Sequence, residues 1–156
     1  MSKLGHWNSF PGLDQKGAVG FVYMIIHKPT NRKYIGKKNF HGRGKSNRGV
    51  ESNWKTYTSS SKYLNELLKE EGKDCFEFVI LEQYYTVGGL SFAETWSQVV
   101  SETPSRNEEF MNRFIDKVTW KVTEPVTTRH KQRLKRYAKK FQFSSTEGSS
   151  HGLSSD

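Results

Sequence analysis

Residues 20–38, GFVYMIIHKPTNRKYIGKK, leave the chain little choice of local structure. The run 21–26 is apolar and rich in aromatic and branched side chains, which suits a strand. Pro29, Thr30 and Asn31 are turn residues: proline presets its own φ, and asparagine tolerates the left-handed region. Residues 33–38 then return as a second strand, so the stretch reads as a β-hairpin. Side chains alternate along a strand, so Tyr23 shares a face with Phe21 and Ile25. If the turn centres near Pro29, the rings of Tyr23 and Tyr34 come within a residue or two of facing each other. A slip of one residue in register would send them to opposite faces. Gly36 leaves room for another backbone or a phosphate to approach. Lys37, Lys38 and Arg43 follow directly. Two phenols beside a cluster of cations suit phosphodiester chemistry. The cations hold a phosphate, and a phenol whose pKa they lower can take a proton from water.

Charge placement supports a polyanionic partner. The net charge is +9, with eight Lys or Arg and no acid between Lys28 and Arg48, and seven more and no acid between Arg129 and Lys140. The rest of the chain therefore sums to −6, and two basic blocks on a mildly acidic body fit duplex DNA. Only 33% of residues are hydrophobic but 13% are aromatic, which predicts a small core built on large rings. Cys75 is the single cysteine, so no disulfide forms within the chain, and a reducing cytoplasmic setting is expected. No apolar stretch approaches the ~20 residues of a membrane span, so no membrane partner is expected. Nothing in the sequence calls for a small-molecule cofactor, and a monomer is favoured.

The outline predicts an α+β domain: a small three-stranded antiparallel or mixed sheet flanked by helices, with a basic C-terminal helix. Residues 1–19 form a polar N-terminal extension tethered by Trp7 and Phe10. Ser61 caps a helix carrying Leu64, Leu67 and Leu68, and Gly72 ends it. The third strand is FEFVIL, residues 76–81. Gly88 and Gly89 break the chain, Ser91 opens a second helix through Val100, and Ser105 opens a third with Phe110, Phe114 and Ile115 on its apolar face. Thr128 starts a fourth helix striped by Leu134, Tyr137, Ala138 and Phe141. Residues 144–156 are low-complexity and read as disordered. Trp96 and Trp120 read as core. His6, His27, His130 and His151 lack metal-ligand spacing.

The ordered set of hairpin, loop, helix and strand resembles the GIY-YIG nuclease family, and within it the freestanding Seg-type endonucleases of T-even-like phages. Phe21-Val22-Tyr23 stands where the family has its first triplet, and Tyr34-Ile35-Gly36 matches the second letter for letter. The similarity continues through WKTYTSSS, residues 54–61, and covers residues 20–117 as a catalytic domain. The resemblance implies catalytic roles for Tyr23 and Tyr34, with either as the general base. It implies an arginine after the second triplet, for which Arg43 stands one residue sooner than is usual, with Lys45 and Arg48 as alternatives. Tyr57 takes the position before the first long helix, with His41 as its competitor. Asn112 takes the terminal asparagine position in preference to Asn107. The metal ligand is Glu94, on the helix after the third strand, and the implied cation is Mg²⁺ or another divalent ion such as Mn²⁺. Glu94 has a competing role, because Ser91-Phe-Ala-Glu94 is also a capping box. The two roles exclude each other, since a capping glutamate turns back to the Ser91 amide. Ser105-x-x-Glu108 is a second such box.

Lys37, Lys38, Lys45 and Arg48 are expected to touch DNA. So are Arg129, Lys131, Arg133, Lys135, Arg136, Lys139 and Lys140 on a basic helical extension, residues 118–143, that lies along phosphates. The chain thus reads as a metal-dependent DNA endonuclease of a phage homing type, site-specific or nicking. The alternatives are an inactive nucleic-acid-binding module of the same fold and a restriction or repair nuclease.

Overall fold

The computed structural model describes residues 3–139. The tail at 144–156, Lys140, Phe141 and His151 lie outside them. Strands β1 (Gly20–His27) and β2 (Arg32–Asn39) form the hairpin, and helix α1 (Lys62–Glu71) follows. Strand β3 (Phe76–Tyr84), helix α2 (Val87–Val100) and helix α3 (Thr128–Ala138) complete the elements. The sheet is antiparallel with order β2-β1-β3. The central β1 is buried along its whole length, so it reads as a continuous apolar run. Phe21, Tyr23 and Ile25 pack on one face with Trp7, Trp54 and Phe78, while Val22, Met24 and Ile26 pack on the other with Leu90 and Leu134.

The hairpin closes on His27 paired with Arg32, and Asn31 takes the left-handed conformation at φ 62°. That register pairs Tyr23 with Gly36 and Ile25 with Tyr34, so the two tyrosines are diagonal neighbours on one face. A bulge in the β1–β3 pairing falls between Val22 and Tyr23, beside the first tyrosine. Ser61 accepts a hydrogen bond from the Leu64 amide to cap α1, and Gly72 ends it at φ 88°, both as expected.

Two expected helices are corrected. Helix α2 begins at Val87, not after Ser91: the Thr86 hydroxyl accepts from the Gly89 amide and caps it. Glu124, 38 residues on, accepts from the Thr86 amide and hydroxyl and so lies at the same N-terminus. Gly88 and Gly89 do not break the chain but lie in the first turn of α2, where a Cβ on either would collide with Lys121 or Glu124 of the segment that crosses here. Ser91 and Glu94 are therefore helix interior, and the capping role for Glu94 falls.

The helix expected from Ser105 is absent, and turns occupy the stretch. Its backbone is needed elsewhere, because β2 is a sheet edge with unpaired groups. The Lys33 amide donates to Glu109 O (2.7 Å), and the Met111 amide donates to Lys33 O (2.7 Å). A helix would have used those groups internally. The Ser105 hydroxyl donates to Glu102 O, so no Ser105–Glu108 capping box forms. Phe110 is buried against β2, but Phe114 is 72% exposed and shares no apolar face with it.

The N-terminal segment is integral to the packing. Trp7 donates to Trp54 O (2.6 Å), and Asn8 exchanges backbone bonds with Phe78 and Ile80 at the edge of β3. Helix α3 lies on the opposite face, burying His130, Leu134 and Tyr137. His130 sits between the Tyr84 hydroxyl (2.8 Å) and the Ser97 hydroxyl (2.6 Å). Arg129 donates twice to the buried carboxylate of Glu82 (2.8 Å each) and stacks over Phe10, and Arg133 donates to Ile80 O (3.0 Å). These two arginines hold the helix down, although Arg129 is itself partly open to solvent; Lys131, Lys135, Arg136 and Lys139 are exposed. Trp120, expected in the core, is 52% exposed with Arg43 over its ring.

Arg129→Ala should leave Glu82 short of its partner and lower unfolding stability by about 2 kcal/mol. Lys135→Ala on the outer face should change it by less than about 0.5 kcal/mol. Urea unfolding of the two variants checks the contrast.

Candidate active site

The hairpin register places the phenol of Tyr23 directly over Gly36. A Cβ on Gly36 would collide with the Tyr23 hydroxyl and lie 2.6 Å from its Cζ. The space expected for a phosphate or another backbone is thus filled by the first tyrosine. Tyr23 and Tyr34 stack with ring centroids 6.4 Å apart, and Tyr57 meets Tyr23 edge-on at 6.1 Å. Tyr57 comes from the turn before α1, and its phenol hydrogen-bonds that of Tyr23. Ser60 hydrogen-bonds the phenols of both Tyr34 and Tyr57. Lys38 Nζ lies 4.2 Å from the centre of the Tyr57 ring.

The cations do not lower these phenols. Burial pushes Tyr23 well above the usual tyrosine value, and the neighbouring Tyr34, Tyr57 and Glu94 add to the rise. Tyr34 is pushed up to about 12, chiefly by burial and then by the Glu94 and Asp116 charges, against a lowering by the Ser60 hydrogen bond. Tyr57 is also raised by burial. The desolvation cost of a phenolate outweighs the nearby lysines.

Glu94 approaches from α2, and the residue is only 4% exposed. Its Oε1 is buried without a hydrogen-bond partner, with Lys37 Nζ in an ion pair at 3.4 Å. Burial lifts its pKa to about 7, Lys37 opposes the rise and Asp116 adds to it. An orphaned carboxylate oxygen beside a phenol cluster fits a hard divalent cation, for which Mg²⁺ and Mn²⁺ are the natural oxygen-seeking choices. No group of three or more His, Cys, Asp or Glu gathers among the described residues, so a zinc-type cage is not what this site offers.

Asn112 clasps the strand between the tyrosine and the glycine. Its Oδ1 accepts from the Ile35 amide (2.9 Å) and its Nδ2 donates to Ile35 O (2.8 Å). Both functional groups are thus engaged with backbone, and the side chain continues the ladder that Lys33 begins. A cleft of about 550 Å³ opens beside Tyr34, lined by Ser60, Tyr63, Gln98, Asn112 and Asp116. A second hollow of about 440 Å³ holds Lys37, Lys38, His41 and Arg43. Lys45 and Arg48 are exposed on the same loop. Ser60, Gln98 and Asp116 had not been singled out. Gln98 stands one helical turn after Glu94, a spacing that could have drawn notice, but nothing local marked Ser60 or Asp116.

An antiparallel sheet whose first two strands carry a tyrosine pair, with a glutamate brought in from the helix after the third strand, defines a DNA endonuclease of the GIY-YIG type, a hydrolase of phosphodiester bonds. The family model "Putative endonuclease segE, GIY-YIG domain" matches residues 6–118, and the chain belongs to that Seg-type GIY-YIG family. Comparison with curated proteins finds no match, and neither does comparison with solved structures. The matched span includes the N-terminal segment from His6 onward, in keeping with its packing in the core.

Gly36→Ala should force the Tyr23 ring out of place. The expected cost is about 1–3 kcal/mol of unfolding stability, together with loss of DNA cleavage. Wild-type stability in urea would contradict that close approach.

Glu94 should also give a measurable pH signature. Its folded pKa of about 7 lies above the ordinary 4.5, so the fold holds that proton more tightly than the unfolded chain. The stabilisation is complete below pH 4.5 and lost as pH rises through 7. His6 and His130, each lowered to about 4 by burial, act with the opposite sign, but they are common to wild type and variant. In EDTA, Glu94→Gln should therefore gain stability relative to wild type between pH 5 and pH 8, by at most about 3 kcal/mol. A pH-independent difference between the two urea midpoints would refute the assignment.

Proposed function

We propose that the protein is a divalent-cation-dependent phage endonuclease of the homing type that nicks or cuts duplex DNA at chosen sites. It would act as a monomer in the cytoplasm of the host. The observation that carries the reading is the buried Glu94 oxygen, without a hydrogen bond and with only Lys37 for an ion pair, set beside three clustered tyrosines. Glu94 holds the cation, Mg²⁺ or Mn²⁺. When bound, such a cation would supply positive charge at the scissile phosphate and offset the carboxylate field that adds to the burial-driven rise of the phenols.

The remaining roles belong to the chain's own side chains. Tyr34 borders the cleft and is the phenol that meets the attacking water. Once Tyr34 has given its own proton to solvent, water oxygen attacks phosphorus, the water proton passes to the Tyr34 phenolate, the P–O bond to the leaving strand breaks, and the leaving oxygen takes a proton from solvent. Tyr23 is too deeply buried to accept that proton, and its hydrogen bond to Tyr57 makes it the group that orients the others. Lys37, Lys38 and Arg43 border the hollow that receives phosphate and offset the charge that grows on it. Asn112 positions Tyr34 through the Ile35 backbone. Lys45 and Arg48 extend the basic loop along the duplex. Lys131, Lys135, Arg136 and Lys139 present a phosphate-facing surface on α3, while Arg129 and Arg133 serve to dock it.

Long duplex DNA should be cut with Mg²⁺ and spared in EDTA. Tyr34→Phe keeps the ring and should lower the rate by about 10² to 10⁴. A rate within tenfold of wild type would remove Tyr34 from the chemistry. Cut-site mapping tests site choice.

Removing α3 is not a clean test of DNA binding by its cations, because His130, Leu134 and Tyr137 are core residues. Charge removal is cleaner. The combined change Lys135→Ala, Arg136→Ala and Lys139→Ala should flatten the salt dependence of DNA affinity by about 0.9 log unit for each phosphate no longer neutralised. Cleavage at saturating protein and low salt should persist. An unchanged slope would take α3 off the DNA.

A further inference from the structure

Helix α2 offers the β2 edge more than one polar residue. Glu94 and Gln98 are one turn apart, and the segment after Asn112 runs back across them. Thr95 Oγ1 donates to Asp116 O (2.7 Å), and Gln98 Oε1 accepts from the Asp116 amide (3.3 Å). The other end of the Gln98 amide donates to Ile35 O (3.1 Å) and reaches Glu94 Oε2 (3.5 Å). Both backbone groups of Asp116 are thus fixed to the helix that carries Glu94.

This clamp holds Asp116 against the turn of α2 that carries Glu94, near enough for the Asp116 carboxylate to add to the rise of the Glu94 pKa. Asp116 also borders the cleft beside Tyr34. Two carboxylates held this close repel each other unless positive charge lies between or beside them. Lys37, 3.4 Å from Glu94 Oε1, supplies one positive charge against two negative ones. With both carboxylates ionised one negative charge remains, Asp116 borders the cleft, and the buried Glu94 Oε1 is still without a hydrogen-bond partner. Oxygen-only donors with a net negative charge suit Mg²⁺ or Mn²⁺.

We infer that Asp116 is a second protein carboxylate for the cation, so that Glu94 and Asp116 together form its seat and Thr95 and Gln98 hold Asp116 in place. The inference rests on the reading of Glu94 as the cation-binding residue. It assigns a role to the segment after Asn112: to bring in a carboxylate that the helix alone cannot supply. Orienting contacts of the Thr95 and Gln98 kind are typical around metal ligands.

The test reads cation binding without DNA. Free Mn²⁺ is followed by its electron paramagnetic resonance signal while wild type, Asp116→Asn and Glu94→Gln are titrated. Asparagine keeps the size of the side chain and both backbone bonds, and circular dichroism checks that the variant is folded. Asp116→Asn should weaken Mn²⁺ binding by at least about 10-fold, since removal of even an outer-shell partner of a metal site costs that much. Wild-type affinity in Asp116→Asn alongside weakened binding in Glu94→Gln would overturn the role of Asp116 and leave that of Glu94 standing. Unweakened binding in both variants, or no uptake by wild type at millimolar Mn²⁺, would overturn the cation reading and this inference with it.

Discussion

The pairing of Tyr23 with Gly36 across the hairpin is the contact on which the site depends. Because position 36 has no side chain, the Tyr23 phenol can lie across the neighbouring strand and still be almost fully buried. That placement sets the stack with Tyr34 two residues earlier on the same strand and leaves the Tyr23 edge for Tyr57. The register itself follows from the turn, where Asn31 accepts a left-handed backbone, so a surface turn positions groups deep in the fold. The bulge in β3 beside the same residue adjusts the other side of the strand without moving this pairing.

Around that contact, burial and charge pull against each other. The cluster is dry enough to hold three phenols protonated and to keep a carboxylate near neutrality, although lysines stand beside it. Such a site is quiet in the free protein, because its groups lack the charges they need. On the proposed function, a polyanion and a cation arriving together would change that balance, and the chemistry would thereby be tied to the presence of both.

Local chemistry was legible in the sequence, and long-range demands were not. The hairpin, the Ser61 cap, the Gly72 stop and the third strand follow from residues that act on their immediate neighbours. The start of helix α2 was misplaced because Gly88 and Gly89 read as a break, and the segment with Lys121 and Glu124 that needs glycine there comes from far along the chain. The stretch after Ser105 carries helix-like spacing, but the open edge of β2 claims its backbone. The direction of the tyrosine shifts was missed for a related reason: cations are visible in a sequence, and depth of burial is not. Tyr23, Tyr34, Tyr57, Glu94 and Lys37 were legible and do meet. Arg129 and Arg133 read as surface cations because Glu82, Phe10 and Ile80, which hold them, come from elsewhere in the chain.

Asn8 and the 109–112 segment have a further consequence. Each lies along one outer strand, so among the described residues both margins of the sheet are occupied by short, irregular backbone. A protein that collects on DNA is crowded against copies of itself along the same polymer, where effective concentrations far exceed those in free solution. Bare strand margins would then become adhesive, chain to chain. Short irregular backbone laid along both margins leaves fewer strand groups open to a second chain, so the covers that complete the hydrogen bonding also work against edge-to-edge association.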